Sequence, residues 1–308
     1  MYKKSAILTF YAETPIHMGA GQSVSYVDLP VQRERHTSFP VLWSSGIKGV
    51  IRDLAMRYWE SEYRKHGKTP EEAHKLAKDK VETIFGPEDG SSDFASCISI
   101  TDAKILLYPV RSVKGVFAWI TCPFVLKRFK EDLNAVGIGL NVQIFDVSDD
   151  KVLVSNSSVL RIDNNQVALE EFVFKAEVKN EVKELAEFLK RFVHQNDLNL
   201  ENHLAIVSDN VFRDFVNYAV EIRTRIRIDQ TKGTVKEGAL FSEELIPSES
   251  VFYSILFFKD SFKPSSNIDA QKVFSEINSL LSDNSLLQLG GDETTGKGYV
   301  RVKVFNGG

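Results

Sequence analysis

Leu289-Gly-Gly-Asp-Glu-Thr-Thr-Gly-Lys-Gly-Tyr-Val300 stands directly before the last apolar stretch of a 308-residue chain, and the reading of this glycine loop decides the fold. Gly291-Asp-Glu-Thr-Thr-Gly-Lys297 satisfies the first seven positions of a phosphate-binding P-loop, whose backbone N–H groups cradle phosphates. The eighth position is Gly298, where a P-loop needs Ser or Thr to hold magnesium. Tyr299-Val-Arg-Val-Lys-Val-Phe305 then alternates as a strand, where a P-loop needs a helix. Nucleotide hydrolysis is thereby set aside. What remains is a backbone nest around Gly290, Gly291 and Thr295 that holds a phosphate with Lys297 as a point charge, or a plain glycine-rich turn.

The opposite end of the chain carries a second loop system. Thr14-Pro-Ile-His-Met-Gly-Ala-Gly21 is followed by Val27-Asp-Leu-Pro-Val-Gln-Arg-Glu-Arg-His-Thr37 and by Ser44-Ser-Gly-Ile-Lys-Gly-Val-Ile-Arg-Asp53. Glycine loops, a carboxylate, several bases and a helix start thus fall within forty-odd residues, a combination suited to a polyanion. The alternating residues 4–12 and 298–305 can share one sheet, which would bring the two loop systems together.

Composition limits the alternatives. Hydrophobic residues make up 43% and charged residues 26%, values of an ordinary globular chain able to bury a core. No apolar run approaches the roughly 20 residues that span a bilayer, and no signal peptide is legible, so a cytoplasmic protein is expected. Cys97 and Cys122 are too few and too far apart for a zinc framework and read as buried thiols. A net charge of -4 argues against a generically basic nucleic-acid binder, so charge has to be read locally. Between Arg213 and Lys236 six bases face three acids.

The pattern predicts an α+β chain without internal repeats. Strands are expected at 4–12, 97–102, 104–109, 116–122, 167–175, 203–208, 221–229, 251–259 and 298–305. Helices are expected at 44 to about 65, 124–136, 180–194, 209–219 and 268–283. Thr69-Pro-Glu-Glu72 supplies a cap, a first-turn proline and a capping-box glutamate for a further helix running to about Phe85.

Two local patterns suggest anion binding, and a single carboxylate stands out beside them. Ser45-Gly-Ile-Lys48 begins a helix, whose free N–H groups favour anions, and Lys48 and Arg52 are one turn apart on one face. A solvated helix face would carry the same pair. Arg223, Arg225 and Arg227 alternate with Thr224, Ile226 and Ile228, so their guanidiniums share one strand face, as on an ordinary half-exposed strand. Val235, Leu240 and Phe241 follow on a hairpin where apolar residues are wasteful unless RNA or a neighbouring subunit covers them. Asp28 lies between apolar Val27 and Leu29 and ahead of Arg33-Glu-Arg-His36, where a carboxylate flanked by bases has little structural reason to stand. A loop-capping aspartate would look the same.

Four segments in this order resemble the RAMP superfamily of RNA-binding proteins, and within it the repeated backbone subunit of the Cmr (type III-B) CRISPR effector complex. They are 27–37, 44–53, Arg225-Ile-Arg-Ile-Asp229 with Gly233-Thr-Val235 and Glu243-Glu244 behind it, and 289–300, and the likeness runs nearly end to end. The resemblance implies a ferredoxin-like, RNA-recognition-motif-like palm in a single RAMP domain over 1–308. It also implies a helical insertion at about 60–95 and a β-hairpin thumb at about 221–250 that wedges into guide–target duplex.

The same resemblance implies a subunit that polymerises with copies of itself along guide (cr) RNA, joins other Cmr subunits and cuts single-stranded target RNA paired to the guide. A purely structural scaffold and a RAMP endonuclease that processes precursor guide RNA are the alternatives. Asp28 matches the aspartate on which cutting depends, with Mg²⁺ implied. His17 matches a histidine able to move protons, and Glu243 stands in place of an acidic thumb residue, with Glu244 one step away. Ser45, Lys48, Arg52, the three arginines and the 290–297 loop fall to guide contacts. Leu245 replaces a tyrosine the family can carry, which removes any role for a phenol there.

Overall fold

The computed structural model describes residues 2–22, 27–88, 94–163, 165–193, 199–228, 231–264 and 266–307, leaving the side chains of 227 and 236–239 aside. Its elements run β1 (Lys4–Ala12), β2 (Val41–Leu42), α1 (Ser44–Lys65), α2 (Pro70–Phe85), β3 (Ile98–Ile100), β4 (Ala103–Arg111), β5 (Phe117–Thr121) and α3 (Pro123–Ala135). Then come β6 (Lys151–Val154), β7 (Arg161–Ile162), β8 (Gln166–Leu169), β9 (Phe172–Val178), α4 (Asn180–Lys190), α5 (Leu200–His203), β10 (Leu204–Ile206) and α6 (Asp209–Tyr218). The chain closes with β11 (Glu221–Ile228), β12 (Val235–Leu245), β13 (Val251–Phe258), α7 (Ala270–Asp283), β14 (Leu286–Gln288) and β15 (Tyr299–Asn306).

Thirteen of the described strands form one mixed sheet. Its order is β14-β15-β1-β13-β4-β5-β10-β6-β9-β8-β7, with β2 beside β4 and β3 beside β13. β1 lies at the heart of one half, antiparallel to both β13 and β15, so Ile7 faces Ile255 on one side and Phe305 on the other. That double pairing explains why Ala6 to Ala12 are all buried, polar Thr9 included. First and last strands therefore share a sheet, as their alternation predicts, and the loops that leave them are forced together.

β11 and β12 stand apart as a two-stranded ribbon. Ile226 opposes Leu240 and Ile228 opposes Val235, and these four with Ile222 lie exposed on one face. The opposite face carries Arg223 and Arg225 across from Glu243 and Phe241. The Arg227 side chain and Asp229 lie outside the described residues, as do 89–93 of the turn after α2.

The helix starts follow the sequence signals: Thr69 accepts from the Glu72 N–H and Glu72 reaches back to Thr69 N–H, closing the capping box of α2. The single strand expected at 167–175 is instead the hairpin β8–β9. Its turn is set by Glu170 in the left-handed region (φ 48°) and by Arg111, which pairs with both Glu170 and Glu171. Strand periodicity carries no sign of that long-range pairing. The 180–194 helix stops at Lys190, and short β2, β6, β7, β14 and the one-turn α5 have no sequence counterpart among the expectations. Elements so short form on what packs beside them, not on their own pattern.

Gly298 shows how tightly the last loop closes. Its N–H donates to the Pro15 carbonyl, its own carbonyl accepts from Leu289 N–H, and φ is 77°. A Cβ there would lie 2.0 Å from the Leu289 carbonyl oxygen. Gly298→Ala is expected to destabilise the chain by at least about 2 kcal/mol, read as a lower midpoint in chemical denaturation at unchanged slope.

Candidate RNA-binding and cleavage site

The stem of β12 collects the site residue by residue, because alternate side chains of a strand face opposite ways. Ser242 holds Asp28: its backbone N–H and its hydroxyl donate to Asp28 Oδ2 at 2.7 and 2.9 Å. Glu243 turns to the other face, where Arg225 Nη2 lies 2.7 Å from its Oε1 without forming an aligned hydrogen bond. Glu244 turns back, pairs with Arg33 and accepts from the Val31 N–H at 2.8 Å. Its carbonyl accepts from His17 Nδ1 at 2.8 Å, and Ile246 then exchanges backbone hydrogen bonds with Ile16. Leu29 N–H donates to the Ser242 carbonyl and its own carbonyl accepts from Glu244 N–H, so residues 27–31 lie along β12.

The glycine-rich loop meets the same stem. Gly291 N–H donates to the His17 carbonyl at 2.9 Å. Gly290 (φ 81°) leaves room for that carbonyl, since a Cβ would fall 2.2 Å from it. Asp292 accepts from Arg225 Nη1 at 2.7 Å, and Thr295 Oγ1 accepts from Nη2 of the same guanidinium at 3.3 Å. One guanidinium thus bridges two carboxylates brought from sequence positions about fifty residues apart. Burial first, then hydrogen bonding and repulsion from Asp292, push the Glu243 carboxyl up, against the opposing pull of Arg225 and His17.

Asp28 has the reverse environment. It is exposed, and the Ser242 backbone N–H and hydroxyl lower its pKa, so it is a carboxylate at neutral pH. His17 is buried, and because a carbonyl only accepts, its Nδ1 carries the proton and Nε2 is the nitrogen left over. Glu243 is 1% exposed. A carboxylate so enclosed is held by its protein neighbours. Leu245 is buried in the core.

Cations divide into engaged and free. Arg225 is spent on the two carboxylates, Arg223 on Glu221, and Arg52 donates to the Gly86 carbonyl at 2.7 Å, tying α1 to the end of α2. Lys48 and Lys297 make no ion pair or side-chain hydrogen bond among the described residues. Lys297 is only 8% exposed, and burial followed by repulsion from Arg52 lowers the Lys48 pKa. The α1 N-terminus expected to bind an anion already has one: Asp102 Oδ1 accepts from the Ser44 N–H at 2.7 Å, while Ser45 beside it remains exposed. Met18 packs on Gly46, so the start of α1 adjoins the His17 loop.

Ser242 is the member that sequence reasoning passes over. Asp292, Glu244 and Arg33 are legible as parts of their motifs, but the partners they take are not. Among the described residues no three His, Cys, Asp or Glu side chains gather as a metal cluster, so Asp28 is a lone carboxylate. Mg²⁺ tolerates that, since it commonly takes one carboxylate and completes its shell with phosphate and water.

A mixed sheet, a protruding ribbon and a glycine-rich loop closing on the first strand define an α+β palm-and-thumb protein. Residues 9–301 match the family model of the RAMP superfamily, and the chain belongs to that family. The chain is 37% identical to the CRISPR system Cmr endoribonuclease Cmr4 of Pyrococcus furiosus, over 98% of this chain and 96% of that protein. It is 26% identical to the CRISPR system CMR subunit Cmr4 of Saccharolobus solfataricus, over 97% and 99%. The crystal structure of oligomeric Cmr4 from Pyrococcus furiosus superposes with a TM-score of 0.70 at 32% identity, covering 98% of each chain.

Removing the shared guanidinium leaves the buried Glu243 carboxylate facing that of partly buried Asp292. Arg225→Ala is expected to lower unfolding free energy by about 3 kcal/mol, measured by chemical denaturation.

Proposed function

We propose that this chain is the backbone subunit of a type III-B CRISPR ribonucleoprotein: it lines up with copies of itself along guide RNA and cleaves target RNA paired to that guide. The observation that carries the cleavage role is Asp28, an exposed carboxylate held along β12 by Ser242, with Oδ1 receiving no hydrogen bond from another residue among the described residues. Family membership and the 37% identity to a Cmr endoribonuclease support the RNA and the reaction, and the similarity to an oligomeric Cmr4 supports self-association. The other Cmr subunits are the remaining partners. No described helix is long and apolar enough to cross a membrane, and the cytoplasm is the compartment proposed for the complex.

Guide phosphates would sit on the 290–297 loop and beside the start of α1, reached by Lys297 and Lys48, whose ammonium groups make no ion pair among the described residues. Such contacts read backbone and leave guide sequence to base pairing. The ribbon, with its exposed Ile226, Ile228, Val235 and Leu240, would displace a nucleotide and open the regular A-form path. That distortion matters because the 2′-hydroxyl cannot line up with its own 3′-phosphate inside a regular helix, and alignment supplies much of the rate. In line, the 2′-oxygen attacks phosphorus, the bond to the 5′-oxygen of the next nucleotide breaks, and a 2′,3′-cyclic phosphate and a 5′-hydroxyl result.

Asp28, ionised and fixed by Ser242, would orient the hydroxyl or hold Mg²⁺ against the scissile phosphate. Mg²⁺ bound there would neutralise developing charge on the phosphate oxygens. His17 and Glu243 are enclosed and serve this reading as supports of the Asp28 loop and of the β12 stem. A scaffold that binds guide without cutting is favoured only by the buried Leu245 where a phenol can stand, and the assay below separates the two readings.

With assembled complex, labelled complementary RNA and Mg²⁺, Asp28→Asn is expected to slow cleavage by about 100-fold or more while guide and target affinities stay within about twofold. Cleavage at the wild-type rate by that variant would leave the scaffold reading standing. Lys297→Ala and Lys48→Ala are each expected to weaken guide binding by about tenfold and to reduce the salt dependence by about one counterion, in titrations at several salt concentrations.

A further inference from the structure

We propose that Asp292 and Arg225 are positioning residues for target cleavage. They fix β12 against the glycine-rich loop, so that the Asp28 carboxylate fastened to the neighbouring residue of β12 faces the scissile phosphate. The inference rests on the cleavage role proposed for Asp28 and names the residues that aim it.

Four observations carry it. Asp292 adopts φ 64°, a conformation that glycine or asparagine takes as readily as aspartate, so the backbone alone does not single out an acid there. An acid in a loop that holds phosphate weakens that binding by like-charge repulsion, so phosphate binding gives no reason either. Its carboxylate is instead engaged, 2.7 Å from Arg225 Nη1, while Nη2 of that guanidinium reaches Glu243 Oε1, also at 2.7 Å. Glu243 and Ser242 are consecutive on β12, and Ser242 donates both of its hydrogen bonds to Asp28.

The path from guide loop to cutting carboxylate is therefore Asp292, Arg225, Glu243, Ser242, Asp28, every step a charged or hydrogen-bonded contact except one peptide bond. A two-stranded ribbon is marginal by itself, and its stem meets the loop in two ways: through His17, which hydrogen-bonds to both Glu244 and Gly291, and directly through the Arg225 ion pairs. Neither Asp292 nor Arg225 needs to touch RNA.

The test uses assembled complex and compares Asp292→Gly, Asp292→Asn, Arg225→Lys and Ser242→Ala, with Asp28→Asn alongside. Glycine suits φ 64°, so Asp292→Gly keeps the loop and deletes only the clamp. Its single-turnover cleavage rate is expected to fall by about tenfold or more, with guide affinity and target affinity within about twofold of wild type. Asp292→Asn keeps an acceptor for Arg225, and Arg225→Lys keeps the charge without the fork, so each is expected to recover part of the rate.

Because Asp292 acts through β12, the double variant Asp292→Gly/Ser242→Ala is expected to lose less than the product of the single losses. Wild-type cleavage by both Asp292→Gly and Arg225→Lys overturns the proposal, as does a rate loss matched by an equal loss of guide affinity, which would make Asp292 a builder of the phosphate loop. Wild-type cleavage by Asp28→Asn overturns both this inference and the cleavage reading beneath it. A slow Asp28→Asn beside a fast Asp292→Gly overturns this inference alone.

Discussion

One guanidinium holds this site together. Arg225 lies between Glu243, enclosed on the thumb strand, and Asp292 on the glycine-rich loop, and without it two acids would press on each other in a poorly solvated space. Charge of one sign is costly away from water, and a fork with donors on two nitrogens is the side chain able to satisfy two carboxylates at once. The ribbon stem and the loop from the other end of the chain meet at that contact, and the His17 segment joins both through its own hydrogen bonds to Glu244 and Gly291. It also explains why a basic strand is not a basic surface: its central arginine is already spent.

Binding of a polyanion by a chain of net charge -4 then depends on which cations are left over, not on how many there are. Most described lysines and arginines near this site are paired within the fold. Lys48 and Lys297 are not, and both are partly or largely withdrawn from water. A cation in that setting gains more from a phosphate than a fully solvated one does, since its own hydration is already incomplete. The opposite holds for Asp28, which is exposed and whose carboxylate form is favoured further by the hydrogen bonds that Ser242 donates to it.

The resemblance of four ordered segments carried the family and the fold class, and the comparisons and the architecture agree with both. Long periodic elements were legible: α1, α2 with its capping box, α7, β1, β13 and β15 stand within a few residues of where periodicity puts them. The β8–β9 hairpin was not, because its turn depends on Arg111, some sixty residues away. Asp28, His17 and the glycine loop were legible as candidates from residue type and neighbours. The burial of Glu243 was not, since one glutamate in an alternating strand looks like the next.

Local rules of periodicity, capping and glycine placement act over a few residues, so the sequence by itself determined which stretches are strands and helices and which loops are rich in donors and charge. It also excluded a nucleotide-hydrolysing P-loop, through Gly298 and the strand behind it. Only the tertiary structure decided which charges are free. Pairing of Arg225 with Asp292, of Arg33 with Glu244 and of the Ser44 N–H with Asp102 depends on contacts across 58 to 211 residues. Electrostatic interaction follows distance in space, and distance in space is set by how β1, β12 and β15 converge.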